Sequence, residues 1–556
     1  NESIAHINKL IVKRKINPAD VPAPILEALS THSSGLKTIR SLLEAGQIKS
    51  VKDLPEVVRG NLELDFVSSF EKRINGTIDA EIKKIKERIK ELEEPGRKDY
   101  DLKEKLEDAR KLLEAYEYVR NKEIFEWQSR IADMETQKVP EGYESLPSVL
   151  DVLLVHGHKL APEYVHGMLK GKAAYETVFD GKGERKIMYL DGKYLGVGGI
   201  AITQQTLVVA EGLKEPVVFA SKTPKAKNDL VEKIDKLEKE LAQVKEAGFA
   251  QEALQSYETR INLFKEINEL YKEYSKLEYC DDATYIDYAG RLNSLYAKHV
   301  KSGAYEAYGY QPYSELFAYG REGINESHNA RKILAIQANG GLDHVIQNKY
   351  VGQGRNITFM EALNHPKLDG KVVSLNELMD PQFKLDGKKK ISTEQYWMYV
   401  VDLLETSGNM NDSYGLVHRD LKPENVLIAP DGKLRIIDLG SIRTKNQLES
   451  TMFPAAAPSK GAFPSLGGVT ATYIDNVKSY HEAKGTKGPD GKPLAKFGFS
   501  DRFANSQIIS ESIDYRVAGL MPDQIIALEQ VREYLKEPDA SSNVAAERIR
   551  NVFENY

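Results

Sequence analysis

Cysteine is almost absent from this sequence of 556 residues, which contains only Cys280. A single cysteine cannot form a disulfide within the chain, and it excludes a zinc site built from several thiolates. A reducing location such as the cytoplasm is therefore expected. Because the chain begins at Asn1 rather than at a methionine, we also expect that it has been trimmed or processed.

Long apolar runs and an excess of positive charge are also missing. Apolar stretches such as residues 149–155 are far shorter than the roughly 18 residues that cross a bilayer, so no transmembrane segment is predicted. The chain carries 77 Lys and Arg against 83 Asp and Glu, a formal net charge of −6. This balance excludes the strongly basic surface typical of nucleic-acid-binding proteins, and protein or small-molecule partners are expected instead.

Two highly charged segments show helical periodicity. Apolar residues recur every three or four positions across residues 71–127, with a break at 94–96, and again across residues 230–264, with a turn at 247–248. Each segment predicts an antiparallel helical hairpin with heptad-like, coiled-coil packing. We expect such hairpins to pack against other elements or to space them, and a protein partner bound to them is the alternative.

Short β-branched and aromatic runs lie between the two hairpins and predict an antiparallel sheet. The predicted strands are 174–179, 186–190 and 193–197. Asp-Gly pairs at 180–181 and 191–192 are the predicted turns between them. Helical patterns dominate after Leu375, notably over 392–405. A β-rich half followed by an α-rich half predicts an α+β fold with two lobes.

One stretch in the second half carries the strongest chemical signal. Residues 415–428 read GLVHRDLKPENVLI, and after a Pro-Asp-Gly turn residues 434–440 read LRIIDLG. This pattern resembles the catalytic loop and the metal-binding turn of eukaryotic-type protein kinases, with Leu439 in the middle of the Asp-Phe-Gly motif. The resemblance implies a bilobal kinase fold. An ordinary β-hairpin with charged ends is the alternative, and it would rarely reproduce so many residues in this order.

Phosphoryl transfer requires a positioned hydroxyl group, a divalent metal and cationic clamps on the phosphates. Asp420 is the expected general base, while Asn425 and Asp438 offer the hard oxygen ligands that Mg²⁺ or Mn²⁺ prefers. The resemblance implies that Lys422 contacts the transferred phosphate, as in Ser/Thr-type kinases. It also favours a protein as the substrate.

Nucleotide-binding features are expected upstream of this loop. Residues 194–201 read YLGVGGIA and resemble the kinase glycine-rich loop, with Gly196 and Gly198 as its first two glycines. Residues 218–222 read VFASK and resemble the strand that carries the phosphate-binding lysine, here Lys222. Together these residues are predicted to hold the phosphates of ATP.

Two further segments resemble parts of the kinase body. Residues 359–363 read FMEAL and are similar to the hinge, where Met360 would be the gatekeeper and the backbones of Glu361 and Leu363 would meet adenine. Residues 512–519 resemble the buried helix of the C-terminal lobe. Asp514 is then expected to brace the backbone of the catalytic loop.

An active kinase pairs its lysine with a glutamate, and two candidates compete for Lys222. Glu238 lies at the ordinary kinase distance, but it falls in the second helical hairpin. Glu326 lies on a helical run that leads directly into the next predicted strands, so the order of elements favours Glu326. Ala330, one turn later, matches the helical register better.

The predicted organisation has three parts. They are a helical N-terminal region at 1–165, a kinase N-lobe at 166–363 with a helical insertion at about 226–310, and a C-lobe at 364–556 that is shortened at its end. The predicted function is a Ser/Thr protein kinase. The alternatives are a pseudokinase scaffold and a kinase-fold transferase of AMP or an amino acid. The large helical additions resemble kinases that bacterial pathogens deliver into host cells, which would place the protein in the host cytosol.

Overall fold

The computed structural model describes most of residues 21–554. The gaps are residue 76, 95–101, 122–123, 198–200, 214, 225, 249–250, most of 275–321, 353–356, 364–371, 385–389, 419, 430, 445–498 and 538–539. The chain divides into two compact units at Ser221 and Lys222. Residues 179–183 and 199–201 belong with the second unit.

Eight α-helices of the first unit lie in its described part, before the first strand. They are α1 (Ala23–Ser30), α2 (Ser33–Glu44), α3 (Glu56–Ile74), α4 (Ile78–Leu92), α5 (Leu102–Asn121), α6 (Ile124–Glu135), α7 (Val149–His156) and α8 (Pro162–Leu169). Helix α7 starts with a capping box in which Ser148 and Asp151 satisfy each other's backbone amides. Helices α4 and α5 pack as the predicted hairpin. The aromatic rings of Phe66, Phe70 and Trp127 pack together in the core of this unit.

Four strands follow the helices in the order β1, β2, β3, β4 across the sheet. Their bounds are Ala174–Phe179 (β1), Glu184–Val197 (β2), Ala201–Ala210 (β3) and Val217–Pro224 (β4). Strands β2 and β3 are antiparallel, with Met188 opposite Val209 and Val197 opposite Ile202. Met188 and Val209 lie in the same hydrophobic core as α8, so the helices and the sheet of this unit share one core.

The predicted turn at residues 191–192 is wrong, because β2 passes through it without reversing. The pairing with β3 shifts register between Asp191 and Tyr194 and again between Tyr194 and Gly196, as β-bulges do. Gly192 is present for a packing reason instead. A Cβ atom there would lie 2.6 Å from the ring of Tyr164 on α8.

The second unit opens with a long helical pair. Helix α9 (Ala226–Glu246) and helix α10 (Gln251–Tyr274) pack against each other on either side of Gly248, whose φ is +70°. Two exposed ion pairs join the two helices, Lys245 with Glu258 at 3.0 Å and Lys265 with Glu238 at 2.7 Å. Helix α11 (Glu322–Gln337) follows, and then β5 (Asn348–Gly352) and β6 (Thr358–Met360).

The remaining elements surround a core centred on α13. They are β7 (Val373–Ser374), α12 (Leu375–Met379), α13 (Thr393–Asp412), β8 (Leu416–Val417), β9 (Val426–Ile428), β10 (Leu434–Ile436), β11 (Arg443–Thr444), α14 (Phe499–Tyr515), α15 (Pro522–Leu535) and α16 (Ser542–Glu554). Tyr396 and Trp397 of α13 are fully buried. Trp397 Nε1 donates to the Arg516 carbonyl at 2.9 Å, and Arg516 Nε donates to the Leu378 carbonyl at 2.7 Å.

The mixture of helices and strands agrees with the predicted α+β class. Strands β9 and β10 form the antiparallel hairpin that carries the predicted metal-binding turn, with Val426 opposite Ile436. A search of the helices in the described part of the chain finds none that is long and apolar enough to cross a membrane.

Candidate active site

The loop that carries Asp420 is braced by a buried carboxylate on α14. The backbone amide of His418 donates to Asp501 Oδ2 at 2.8 Å, and Asn411 Nδ2 donates to the same oxygen at 3.0 Å. Asp501 is 0% exposed. The assignment of this role to Asp514 was wrong, because Asp514 is exposed at the other end of α14. The residue in the first turn, Asp501, is the one that faces the loop.

His418 orients the backbone that leads into Asp420. Its ring is buried, with Nε2 3.0 Å from the Ile437 carbonyl and Nδ1 3.3 Å from the backbone amide of Asp420. Because Nδ1 accepts from that amide, Nε2 carries the proton and donates to Ile437. The histidine therefore ties the start of the loop to the end of strand β10.

Asp420 lies in a buried polar cluster. Asn425 Nδ2 donates to Asp420 Oδ2 at 3.0 Å and to the Asp420 carbonyl at 2.8 Å, while Lys422 Nζ lies 3.4 Å from Oδ2. Within the described residues, the buried Oδ1 atom of Asp420 has no hydrogen-bond partner. Burial raises the pKa of Asp420 to about 6, against the lowering effect of Lys422 and His418. Such a carboxylate has a free buried oxygen that can accept the proton of a hydroxyl group.

Asp438 and Lys222 form a direct ion pair. Lys222 Nζ on β4 lies 2.8 Å from Asp438 Oδ1, although 216 residues separate them. The charge of Lys222 holds the pKa of Asp438 below its usual range. Asp438 also has φ +63°, one of two described non-glycine residues in the left-handed region. This conformation is uncommon for an aspartate and is typical of residues held in place at functional sites.

Asn425 and Asp438 fit a magnesium ion that is shared with substrate phosphates. Because Asn425 Nδ2 donates to Asp420, its amide oxygen is the atom available for a cation. The described residues contain no group of three or more His, Cys, Asp or Glu side chains that would form a closed metal cage. Mg²⁺ commonly uses one or two protein ligands together with phosphate oxygens and water, so a two-residue site suffices.

Helix α11 contributes a residue that the sequence analysis missed. Asn329 is buried, 3% exposed, and its Nδ2 lies 2.8 Å from the Leu439 carbonyl, 3.2 Å from the Gly440 carbonyl and 3.1 Å from the Ile442 carbonyl. This amide joins α11 to the turn that carries Asp438. The available signal was the register of Ile333 and Leu334, which places residues 329–330 on the inward face of the helix.

The described part of the structure tests only one of the two glutamate candidates for Lys222. Glu238 forms its described ion pair with Lys265 at 2.7 Å within the α9 and α10 pair. Glu326 lies on α11 as expected, but its side chain is outside the described part of the structure. The pairing of Glu326 with Lys222 therefore stays a prediction, and Asp438 is a carboxylate partner of Lys222 among the described residues.

The predicted adenine-binding segment follows β6. Met360 ends this strand and packs, half-buried, against the core that contains the buried Leu363. The Glu361 carboxylate accepts from Arg435 Nε at 2.7 Å and from the Gln347 amide at 2.9 Å. The Glu361 amide itself donates to the Gln347 carbonyl at 2.8 Å. These bonds hold the segment in place, and contact between adenine and Met360, Glu361 and Leu363 remains a prediction.

Of the predicted glycine-rich loop, the structure describes Gly196 but not Gly198. Gly196 lies near the end of β2, opposite Thr203. A Cβ atom at Gly196 would meet no atom within 4 Å, so internal packing does not require a glycine there. Contact between Gly196 and a nucleotide phosphate stays a prediction.

Comparisons with known proteins agree with this site. Residues 352–457 match the protein kinase domain family. A segment of 101 residues is 37% identical to 3-phosphoinositide-dependent protein kinase 1 of Arabidopsis thaliana, covering 18% of this chain and 19% of that protein. Another of 68 residues is 40% identical to serine/threonine-protein kinase PKH3 of Saccharomyces cerevisiae, covering 12% and 7%. The protein of the same name from Eremothecium gossypii is 28% identical over 154 residues, covering 24% and 20%.

Residues 352–457 of this chain are therefore similar to eukaryotic-type protein kinases. The matched range contains Asp420, Asn425 and Asp438, whereas Gly196 and Lys222 lie upstream of it. The chain aligns with no more than 20% of the length of each of these three relatives, so the similarity supports the kinase class and assigns no substrate.

Proposed function

We propose that this chain is a Ser/Thr protein kinase that transfers the γ-phosphate of ATP to a hydroxyl group of a protein. The observation that carries the proposal is the 2.8 Å ion pair between Lys222 and Asp438. It brings the lysine expected at the nucleotide phosphates to the aspartate expected at the metal. Phosphate transfer also needs a group that accepts the proton of the hydroxyl. The buried Oδ1 of Asp420, which has no hydrogen-bond partner among the described residues, can serve as that acceptor.

In the proposed reaction, Asp420 accepts the proton of the substrate hydroxyl, whose oxygen forms the new bond to the γ-phosphorus. The bond between that phosphorus and the β,γ-bridging oxygen breaks, and ADP leaves. Lys422, 3.4 Å from Asp420 Oδ2, provides positive charge next to the base. Magnesium, held by Asn425 and Asp438, supplies charge neutralisation at the phosphate oxygens.

The test is incubation of the full chain with ATP labelled at the γ-phosphate and, separately, at the α-phosphate. We expect transfer of the γ label to serine or threonine of a protein acceptor or of the chain itself. Asp420→Asn should lower this transfer by about 10²-fold or more, because it removes the base with little change of shape. Asp412→Asn is the matched control, since Asp412 is an exposed carboxylate at the end of α13.

Each alternative function predicts a different pattern of label. Transfer of the α label would identify an AMP transferase, and no transfer of either label would favour a scaffold. Undiminished γ transfer by the Asp420→Asn variant would overturn the assignment of Asp420 as the base.

A further inference from the structure

The N-terminal helices contact strand β2 at the first residue of the predicted glycine-rich loop. Asp108 on α5 accepts a hydrogen bond from the backbone amide of Tyr194, with 3.0 Å between the nitrogen and Oδ1. Tyr194 precedes Gly196 by only two residues. A side chain of the helical region therefore holds the backbone at the start of the loop.

The pairing of this part of β2 with β3 is irregular. The pairing of β2 with β3 is interrupted on both sides of Tyr194, which is itself paired with Gln204. A bulge leaves a residue outside the regular ladder of hydrogen bonds and bends the strand. The bond to Asp108 is thus an external restraint on an irregular segment.

A second contact acts at the same place. Helix α8 approaches Gly192 so closely that a Cβ atom there would lie 2.6 Å from the ring of Tyr164. Tyr164 itself is buried in the core shared by the helices and the sheet. Two contacts with the helices therefore restrain the strand, the packing at Gly192 and the hydrogen bond at Tyr194.

The hydrogen bond of Asp108 lies in a partly buried environment. Burial raises the pKa of Asp108, while the amide of Tyr194 and the charges of Arg88 and Lys193 lower it. Glu163 of α8, which is half-buried, lies close enough to interact with Asp108. A hydrogen bond in such surroundings is poorly replaced by water, so its loss is expected to loosen the strand.

We propose that Asp108 is a positioning residue through which the N-terminal helical region sets the affinity of the kinase for ATP. This inference rests on the proposed function in one respect, that Gly196 belongs to the loop over the nucleotide phosphates. The hydrogen bond at Tyr194 holds the strand that carries Gly196 in place before ATP binds and so reduces the entropy lost on binding. In this proposal the helical region restrains a strand of the nucleotide site.

The test compares Asp108→Ala with Asp108→Asn, which keeps an acceptor oxygen at the same position. Glu107→Ala is the matched control, because Glu107 is an exposed carboxylate on the same helix that pairs with Lys111. For Asp108→Ala we expect the amides of residues 192–197 to exchange about tenfold or more faster with deuterium. We expect its KM for ATP to rise by about three- to tenfold with kcat nearly unchanged.

Asp108→Asn and Glu107→Ala should both resemble the wild-type protein in exchange and in KM. Faster exchange together with weaker ATP binding in Asp108→Ala alone supports the proposal. Wild-type exchange or wild-type ATP affinity in that variant overturns it. If Asp108→Ala does not fold, Gly192→Ala takes its place, because the added methyl group pushes the same strand away from Tyr164 and should weaken ATP binding in the same way.

The proposed function is judged separately, because exchange and calorimetric titration with MgATP require no phosphate transfer. A wild-type protein that binds ATP but transfers no phosphate would overturn the proposed function, while the variants still decide the role of Asp108. Normal transfer with identical ATP affinity in all variants would overturn the inference alone.

Discussion

Replacing Asn329 should release the turn that carries Asp438. The single amide group of Asn329 serves three backbone carbonyls, those of Leu439, Gly440 and Ile442. It has two hydrogens, so at most two of these bonds are strong at any moment. Asn329→Leu is similar in size and removes both donors, which leaves buried carbonyls without them.

The expected loss follows from these contacts. A buried polar group left unsatisfied costs about 1–3 kcal/mol, and carbonyls fall toward the lower end of that range. Two lost bonds therefore destabilise the turn by about 2–3 kcal/mol, which corresponds to a roughly 30- to 150-fold increase in local opening. Asn329→Asp should destabilise the turn more than Asn329→Leu does, because it places carboxylate oxygens against carbonyl oxygens.

Hydrogen–deuterium exchange over residues 438–444 measures this opening, and phosphate transfer at saturating ATP measures its consequence. We expect faster exchange and a lower kcat in both variants. Asn339→Ala is the control. Asn339 is an exposed asparagine just beyond the end of the same helix, and its side-chain amide donates to the Ala335 carbonyl. Exchange within about twofold of wild type in both Asn329 variants would refute the reasoning.

Two further predictions concern the catalytic loop. Because burial raises the pKa of Asp420 to about 6, kcat/KM should fall about tenfold per pH unit below that value and level off above it. Lys422→Gln removes a charge that lowers this pKa, so the midpoint of its pH profile should move to higher pH, and an unmoved midpoint would contradict the assignment. Asp501→Ala leaves two buried donors, on His418 and Asn411, without their acceptor. It should reduce the free energy of unfolding by about 2–6 kcal/mol in denaturant titrations, whereas a loss under about 0.5 kcal/mol would rule out the bracing role.

Local patterns in the sequence were sufficient for several elements. The predicted strand 174–179 coincides with β1, and the helical pattern at 392–405 starts at the N-cap residue of α13, which begins at Thr393. The helices on both sides of Gly248 were likewise evident from their apolar spacing. These elements form from the periodicity of neighbouring residues and from short turns. The Asp-Gly pair at 191–192 shows where such reasoning fails, because packing against Tyr164 overrides the local turn preference.

The sequence by itself also determined the residues of the candidate site that lie close together along the chain. Asp420, Asn425 and Asp438 fall within one loop and one hairpin, so the resemblance of this short stretch to protein kinase motifs was sufficient to predict them. Residues that reach the site from distant elements could not be found in this way. Asp501 lies 83 positions from His418, and Asn329 lies 110 positions from Leu439.

Only the tertiary structure decided which side chains support the loops. Asp108 meets Tyr194 across 86 positions because α5 packs on β2 with one particular rotation. Asn329 faces the Asp438 turn for the same kind of reason. A helix turns by about 100° at each residue, so a shift of one position changes which side chain points inward. That rotation is set by packing among elements far apart in the chain, and no local pattern encodes it.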